Sequence, residues 1–343
     1  MWQILFHIRI PEAFPKIGGA DIPVYGYGVM MVIGFFAAMM LAQFLARRSK
    51  IDPEIFGNAA LIALITGVVG ARLSHVLENL PDYTRSDLTF GQNFFNAINI
   101  RSGGLTYYGG FILSFPALIA YGIYKKVPLR LGMDIIAPCL MVGLAFGRIG
   151  CFLNGCCYGA ECKTPVSVQF PYGSDAYVTE YAEGKLGHHV PMDLLVKTPY
   201  GARLMTKEEI ARTKDPAERE RLDALAATEK SDWVQPAQLY STATAFLIAA
   251  FLLAYFTLPH IPGHVFAAMM IIEGISRYLL EMLRVEPAVV GRGTDYLKFL
   301  PPQSYSMVVS FLLVWGGVAL WIAFSHVGGS TAEPLPRGRA AIA

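Results

Sequence analysis

The sequence has 343 residues, of which 54% are hydrophobic and only 16% are charged. Its formal net charge is +2, and no basic stripe is interleaved with aromatic residues, which excludes nucleic acid as an expected partner. Several apolar stretches reach about 20 residues, the length at which a helix crosses a hydrocarbon core. We therefore predict an all-α, polytopic membrane protein embedded in the lipid bilayer.

The first segment, residues 1–26, is predicted to be amphipathic and to lie at the membrane–water interface on the outward-facing side. Its apolar start is short and is interrupted by His7, Arg9 and two prolines, which is not the pattern of a cleavable signal peptide. Trp2 and Phe6 are its expected interfacial anchors.

Seven transmembrane helices are predicted from apolar runs bounded by Pro, Gly and charged residues. Four of them fall in residues 27–160, with an outward arm at about 79–102 between the second and the third, and three fall in residues 236–325. The predicted spans lie near 27–47, 56–78, 104–124, 133–153, 237–257, 263–283 and 304–325.

Two other segments complete the predicted domains. Residues 161–235 differ in composition from everything around them and are predicted to form a soluble outward head. Within this head, residues 206–231 are rich in charged residues and alanine with leucines at helical spacing, which favours a solvated helix or helical hairpin. Residues 326–343 are predicted to be a cytoplasmic tail that is disordered from Ser330.

The orientation follows from the basic residues, because Lys and Arg collect in short cytoplasmic loops. Eight of them fall on one side if the N-terminus is outside and the C-terminus is cytoplasmic. These residues are Arg47, Arg48, Lys50, Lys125, Lys126, Arg130, Arg337 and Arg339.

Arginines at membrane depth are the first candidates for a functional site. Arg148 lies near the outer end of the fourth predicted span, and Arg72 and Arg277 lie in the outer halves of the second and sixth. Such charges are costly in a membrane and usually functional. Arginine binds phosphate through a planar fork of donors, so three arginines at similar depth predict a site for a lipid phosphate.

Buried ion pairs are the simpler explanation for these charges. Arg277 lies four residues from both Glu273 and Glu281, on one helical face, and Arg72 has Glu78 nearby in sequence. For a single pair, neutralisation is favoured over a binding role. Three arginines lie at similar depth, and fewer carboxylates are certain to reach them. This surplus of positive charge favours a bound anion.

The stretch 147–159 combines Arg148 and Asn154 with glycines and cysteines. Glycines recur four apart at 143 and 147 and at 155 and 159, which predicts either close helix packing or room for a lipid head group. Gly155 also favours a break in the helix. Four cysteines lie at 151, 156, 157 and 162, and we expect small packing residues or an outside disulfide through Cys162 rather than a metal site.

Taken together, these motifs resemble the prolipoprotein diacylglyceryl transferase family over residues 22–287. The resemblance rests on their order, spacing and shared depth rather than on any single one. It is carried by Tyr27-Gly28, Gly70-Ala71-Arg72, residues 103–110 (Gly-Gly-Leu-Thr-Tyr-Tyr-Gly-Gly), residues 147–159, residues 236–240 (Pro-Ala-Gln-Leu-Tyr), and Arg277 to Glu281 with Arg284.

The resemblance implies a seven-span enzyme of the bacterial cytoplasmic (inner) membrane without a cofactor or a metal. Such an enzyme takes the diacylglyceryl group from phosphatidylglycerol and joins it by a thioether to the lipobox cysteine in the signal peptide of a preprolipoprotein, releasing glycerol phosphate. The expected catalytic residues are Tyr108, Arg148, Arg277 and Glu281. The expected substrate-binding residues are Tyr27, Arg72, Gly104, Asn154, Gly159 and Arg284.

The chain departs from the family pattern at three positions. Tyr108 stands where the pattern often has a histidine, Cys156 where it often has a polar or acidic residue, and Cys151 where asparagine is common. A histidine base therefore does not transfer to this chain. Tyr108 is expected to donate a hydrogen bond to the lipid, and deprotonation of the acceptor thiol falls to Glu281, water or a Tyr108 of depressed pKa.

Two other functions compete with this one. An arginine-lined cavity without covalent chemistry would make the protein a phospholipid-binding or phospholipid-translocating protein. A membrane thiol oxidoreductase built around the cysteines ranks well below both.

Overall fold

The computed structural model describes residues 4–9, 21–84, 89–99, 104, 106–198, 201–284 and 301–327. Trp2 and the tail from residue 328, for which the sequence predicts an anchor and disorder, lie outside these ranges. The chain divides into two compact units. The first comprises residues 1–36, 140–251 and 267–319, and the second comprises residues 37–139, 252–266 and 320–343.

Helices make up most of the described chain, and each of the seven predicted spans coincides with one. The helices are α1 (Gly26–Arg48), α2 (Pro53–Glu78), α3 (Leu80–Tyr83), α4 (Phe90–Ile98), α5 (Tyr107–Tyr124), α6 (Leu129–Asn154), α7 (Asp175–Ala182), α8 (Lys207–Ala211), α9 (Pro216–Thr228), α10 (Ala237–Phe256), α11 (His264–Glu281) and α12 (Tyr305–His326).

Five helices are long and apolar enough to cross a membrane, namely α1, α2, α6, α10 and α12. Helices α5 and α11 have 18 residues each, and α11 carries three charged side chains, Glu273, Arg277 and Glu281. The fold is therefore that of an all-α membrane protein, as predicted.

In the described part of the chain, two small antiparallel hairpins interrupt the helical architecture. The first pairs β1 (Ile4–Arg9) with β2 (Asp21–Tyr25), in the segment for which the sequence predicts an interfacial location. The second pairs β3 (Leu195–Thr198) with β4 (Gly201–Leu204) inside the predicted head.

In the second unit, glycines let α2 and α5 pack backbone to backbone. A Cβ on Gly70 would clash with the carbonyl oxygen of Gly109, and a Cβ on Gly110 would come within 2.9 Å of the Gly67 carbonyl oxygen. The small-residue contact thus lies between these helices, where it allows close approach.

A buried carboxylate in the same unit fixes the start of α11. Asp134 is fully buried and accepts hydrogen bonds from the backbone N–H groups of Gly263 (2.6 Å) and Phe266 (2.9 Å). His260 Nε2 lies 3.4 Å from Oδ2 of the same carboxylate. Because the free N–H groups of a helix N-terminus are satisfied by this carboxylate, α11 begins at a defined place.

In the first unit, residues 161–235 form a folded segment with a core of its own. Tyr172, Tyr177, Leu194, Ile210 and Leu222 are buried together. The helices α8 and α9 occupy the stretch for which a helical hairpin is predicted. Two backbone hydrogen bonds of 3.0 Å join Val168 and Val234. The beginning and the end of the segment therefore lie next to each other.

Helix α6 ends at Asn154 in a left-handed turn. Gly155 has a φ of 77°, and the N–H groups of Gly155 and Cys156 donate to the Cys151 carbonyl at 2.9 and 3.1 Å. This arrangement is a Schellman-type cap, for which glycine is preferred because it has no Cβ. The predicted helix break is confirmed. Gly155 and Gly159 are closely packed, as one of the two predictions had it, but they lie beyond the helix, so the contact is not one between two helices.

Candidate functional site

Three arginines line one cavity in the first unit. Arg148 comes from the last two turns of α6, Arg277 from α11, and Arg284 from the turn after α11. Glu273 and Glu281 line the same cavity. Because residues four apart share a helical face, the spacing of Glu273, Arg277 and Glu281 puts all three on one side of α11.

Two of these arginines make no hydrogen bond or ion pair with the described residues, although Glu273 interacts with both electrostatically. Arg148 makes neither a hydrogen bond nor an ion pair within that part of the chain, and the same holds for Arg277. The Nε of Arg277 is buried without an acceptor. A buried guanidinium donor without an acceptor is costly, so the cavity is suited to an anion that supplies one.

Glu281 is bound at both of its oxygens. Ser304 donates to Oε1 at 2.9 Å, and Arg284 donates to Oε2 at 3.3 Å. The carboxylate is 4% exposed. The predicted ion pair between Arg277 and Glu281 is therefore wrong. Glu281 pairs with Arg284 instead, and Arg277 remains available for a ligand.

The cavity is positively charged and narrow. Three guanidinium groups against two carboxylates leave one positive charge in surplus. The free volume is about 20 Å³, which holds about one water-sized group, so a phosphate requires the side chains to move apart.

A second, larger cavity adjoins the first. It has a volume of about 230 Å³ and shares Cys157 and Arg284 with the arginine-lined cavity. Four carboxylates line it, those of Glu161, Asp175, Glu180 and Glu183. The two spaces therefore meet at Cys157, one lined mainly by acidic groups and the other by basic groups.

The structure brings four of the ten predicted site residues into one cavity: Arg148, Arg277, Glu281 and Arg284. Tyr27 packs against Gly150 of α6 and is 41% exposed. Asn154 lines a different cavity of about 770 Å³, together with residues of the predicted head.

Gly159 serves close backbone packing in this structure. Its N–H donates to the Gln235 carbonyl at 2.9 Å, and Ala160 N–H donates to the Leu283 carbonyl at 2.8 Å. A Cβ at Gly159 would come within 3.0 Å of the same Leu283 oxygen. This loop therefore ties the end of α11, next to Arg284, to the start of α10.

The remaining predicted residues lie in the second unit. Arg72 is buried and donates to the carbonyls of Ala97 (2.7 Å), Asn96 (2.7 Å) and Gly104 (3.0 Å). Gly104 has a φ of 77°. The backbone of Tyr108 belongs to the first turn of α5, and its side chain lies outside the described part of the chain.

Sequence comparison decides the family. A family model described as prolipoprotein diacylglyceryl transferase matches residues 14–323. The chain belongs to this family.

Named relatives agree with this assignment. The phosphatidylglycerol–prolipoprotein diacylglyceryl transferase of Rhodopirellula baltica is 38% identical over 178 residues, which are 50% of this chain and 36% of the relative. The transferase of the same name from Clostridium tetani is 24% identical over 277 residues, 81% of this chain and 86% of the relative. That of Fusobacterium nucleatum is 36% identical over 158 residues, 46% of this chain and 51% of the relative.

This member of the prolipoprotein diacylglyceryl transferase family has thiols beside the arginines. The Sγ atoms of Cys151, Cys156 and Cys157 all lie within 4.8 Å of one another, and Cys157 lines the arginine cavity. All five cysteines are free, and the Cys162 thiol faces Thr164 instead of this cluster.

Sequence reasoning missed Ser304 and Cys157 as neighbours of the site. Ser304 precedes the last helix and carries no local motif, so no signal in the sequence connects it with Glu281. The spacing of Cys151, Cys156 and Cys157 was visible, but their convergence depends on the left-handed turn after α6.

Proposed function

We propose that this protein transfers the diacylglyceryl group of phosphatidylglycerol to the lipobox cysteine thiol of a preprolipoprotein. The reaction forms a thioether and releases glycerol phosphate, as the first step of lipoprotein maturation. The observation that supports it best is the cavity in which Arg148, Arg277 and Arg284 meet with a surplus positive charge. Family membership and the names of the relatives support the substrates.

The arginines fit the charge that develops in this reaction. The acceptor sulfur attacks a glycerol carbon, the C–O bond breaks, and its electron pair leaves on the phosphate oxygen. Donors placed at that oxygen stabilise the transition state more than the ground state, which is what accelerates a reaction. Arg148 and Arg277 lack protein acceptors in the described chain, so we assign the departing phosphate to them.

Glu281 and Arg284 are assigned different tasks. Because both oxygens of Glu281 already accept hydrogen bonds, we assign this carboxylate to the positioning of Arg284 rather than to proton abstraction. Tyr27, Asn154, Gly159, Arg72, Gly104 and Tyr108 remain predicted site residues for the lipid or the acceptor peptide.

We further propose seven membrane spans in a bacterial inner membrane, with the N-terminus outside and residues 161–235 as an outward head. Helices α5 and α11 supply the two spans beyond the five that are long and apolar enough on their own. In this orientation the arginine cavity lies near the outer face, where a translocated signal peptide presents its cysteine.

A transfer assay with purified protein tests the function. Phosphatidylglycerol and a lipobox peptide are incubated with the enzyme, and the peptide mass is followed. We expect a diacylglyceryl mass increase on the cysteine, and losses of at least about 100-fold for Arg148→Ala and Arg277→Ala. Arg130→Ala, at the opposite end of α6, is the matched control and should retain activity.

The competing function has a distinct outcome. If phosphatidylglycerol binds but the peptide never gains mass, the protein is a lipid-binding or lipid-translocating member of the family and the enzymatic proposal fails. If both arginine variants transfer lipid at the parental rate, the assigned phosphate site is wrong.

A further inference from the structure

We propose that Cys151, Cys156 and Cys157 hold a zinc ion whose fourth coordination position takes the thiol of the acceptor peptide. The inference rests on the proposed function and adds to it the means by which the acceptor sulfur is ionised. Zinc sites that act in catalysis have three protein ligands and one open position, which is the number of thiols that converge here.

The distances between the sulfurs fit a zinc ion after a small adjustment. Zinc–sulfur bonds of about 2.3 Å in tetrahedral geometry separate neighbouring sulfurs by about 3.8 Å. The three Sγ atoms lie within 4.8 Å of one another. Side-chain rotations that bring them closer by about 1 Å complete the trigonal face of a tetrahedron.

The backbone explains why the three thiols converge. Cys151 is in the last turn of α6, and the cap formed by Gly155 returns the chain so that Cys156 N–H donates to the Cys151 carbonyl. Cys157 then adopts a φ of 59°, in the left-handed region that is costly for a residue with a Cβ. The turn is held on the opposite side by Gln238, which donates to the Cys156 carbonyl at 2.7 Å.

Charge also favours an ion with thiolate ligands at this place. Zn²⁺ with three thiolates carries one negative charge, and a fourth thiolate makes it two. Cys157 lines the cavity of Arg148 and Arg284, whose guanidinium groups offset that charge. The adjoining cavity also reaches Cys157. Its four carboxylates, against Lys185 and Arg284, leave it with a negative surplus that favours the entry of a cation.

The proposed step balances without another reactant. The acceptor thiol binds zinc and loses its proton, because a thiol that coordinates the ion is deprotonated outright. The zinc-bound sulfur attacks the glycerol carbon, and the C–O bond breaks with its electron pair on the phosphate held by Arg148 and Arg277. The proton passes to the released glycerol phosphate, and the thioether product, a weak ligand, leaves the ion.

Metal analysis of the purified full-length protein is the first test. We expect about one equivalent of zinc per chain, and Co²⁺ exchanged for zinc should give the absorption of a tetrahedral thiolate site. Cys156→Ser should lose the ion, whereas Cys156→His should retain it because imidazole is a zinc ligand. Cys162→Ser is the matched control, since this free thiol lies outside the cluster.

The pH dependence of transfer is the second test. A free thiol of pKa about 8.5 is only about 3% ionised at pH 7, so loss of zinc should slow transfer about 30-fold at pH 7 and much less near pH 9. Cys156→Ser and chelator-treated protein should both show this shift, and Cys156→His should restore activity at pH 7. If the three thiols served only packing, their replacement would change the transfer rate by the same factor at every pH.

The outcomes separate this inference from the proposed function. Transfer activity in protein that neither contains zinc nor binds Co²⁺ would overturn the zinc site and leave the transferase standing. Alkylation assays that find two of the three thiols joined in a disulfide would do the same. A protein that binds zinc at these cysteines but never transfers lipid would overturn the function and with it the catalytic role of the ion.

Discussion

Glu281 is a buried carboxylate whose neighbours decide its role. A general base must present a free lone pair to the proton it takes, whereas a positioning group is bound by donors on the protein. Ser304 and Arg284 occupy one oxygen each. The arrangement holds the Arg284 guanidinium at the edge of the cavity, next to Cys157.

Replacement of Glu281 by Gln separates these roles. Gln keeps the shape and can still accept a hydrogen bond from Ser304, so a positioning residue should lose at most about 10-fold in transfer rate, with an unchanged pH profile. A general base should lose about 100-fold to 10,000-fold. Rates measured between pH 6 and 9 check this, and a loss in the second range would return Glu281 to the base role.

Glu180 is a further buried carboxylate, in the predicted head. It is 4% exposed, Oε2 accepts the Asp232 N–H at 2.9 Å, and Oε1 is buried without a donor in the described chain. Its pKa is raised above the ordinary value, mainly by burial and also by Asp232 and Glu161, while the Asp232 N–H and His188 act in the opposite direction.

This raised pKa predicts how stability changes with pH. The folded state binds the Glu180 proton more tightly than the unfolded chain, so its contribution is fully present below the unfolded pKa and is lost as the pH rises through the folded pKa. Glu180→Gln should therefore raise the melting temperature at pH 7.5 and change it little at pH 4. Glu183→Gln, at an exposed ion pair with Lys185, is the control. A variant that is less stable at pH 7.5 would contradict the reasoning.

At the scale of elements, Arg72 connects α2 with the predicted arm and with the residue Gly104 that follows it. Its three bonds reach two carbonyls near the end of α4 and one at Gly104. Tyr83 lies 5.2 Å from the guanidinium carbon, so the aromatic ring covers the charge. The contacts favour a role in holding this segment, whereas the sequence predicts a role in lipid binding.

Arg72→Lys distinguishes the two roles. A single ammonium group cannot replace the three donor directions, so we expect a loss of about 2 kcal/mol in stability and faster amide exchange in α4. Hydrogen exchange measured by mass spectrometry checks this, with Arg47→Lys at the exposed end of α1 as the control. Unchanged exchange in α4 with a raised KM for phosphatidylglycerol would instead support lipid binding.

Elements were easier to predict than contacts. Apolar length and charge placed a helix within a few residues at each of the seven predicted spans, because these signals are local; five of these helices are long and apolar enough to cross a membrane. The position of α11 relative to Ser304, and the turn that gathers the thiols, depend on contacts between distant residues such as Ala160 with Leu283. The β1–β2 hairpin was missed because its strands are short and separated by 11 residues.

At the scale of the whole molecule, the distribution of basic residues supports the proposed orientation. Arg47 and Arg48 end α1, and Lys125 follows α5. These residues belong to helix ends that must share one side of the membrane if every long helix crosses it. Because Lys and Arg are retained in the cytoplasm, this pattern supports our proposal that the head, between α6 and α10, lies outside.

Thiol labelling in intact cells tests this orientation. Lys185→Cys, in the predicted head, should react with a membrane-impermeant maleimide in cells whose outer barrier alone is opened, because its side chain is exposed. Lys125→Cys should react only after the inner membrane is permeabilised. The parent chain, labelled in parallel, gives the background of its five native thiols. The reverse pattern would invert the protein in the membrane and place the arginine cavity at the cytoplasmic face, where a translocated lipobox cysteine cannot reach it.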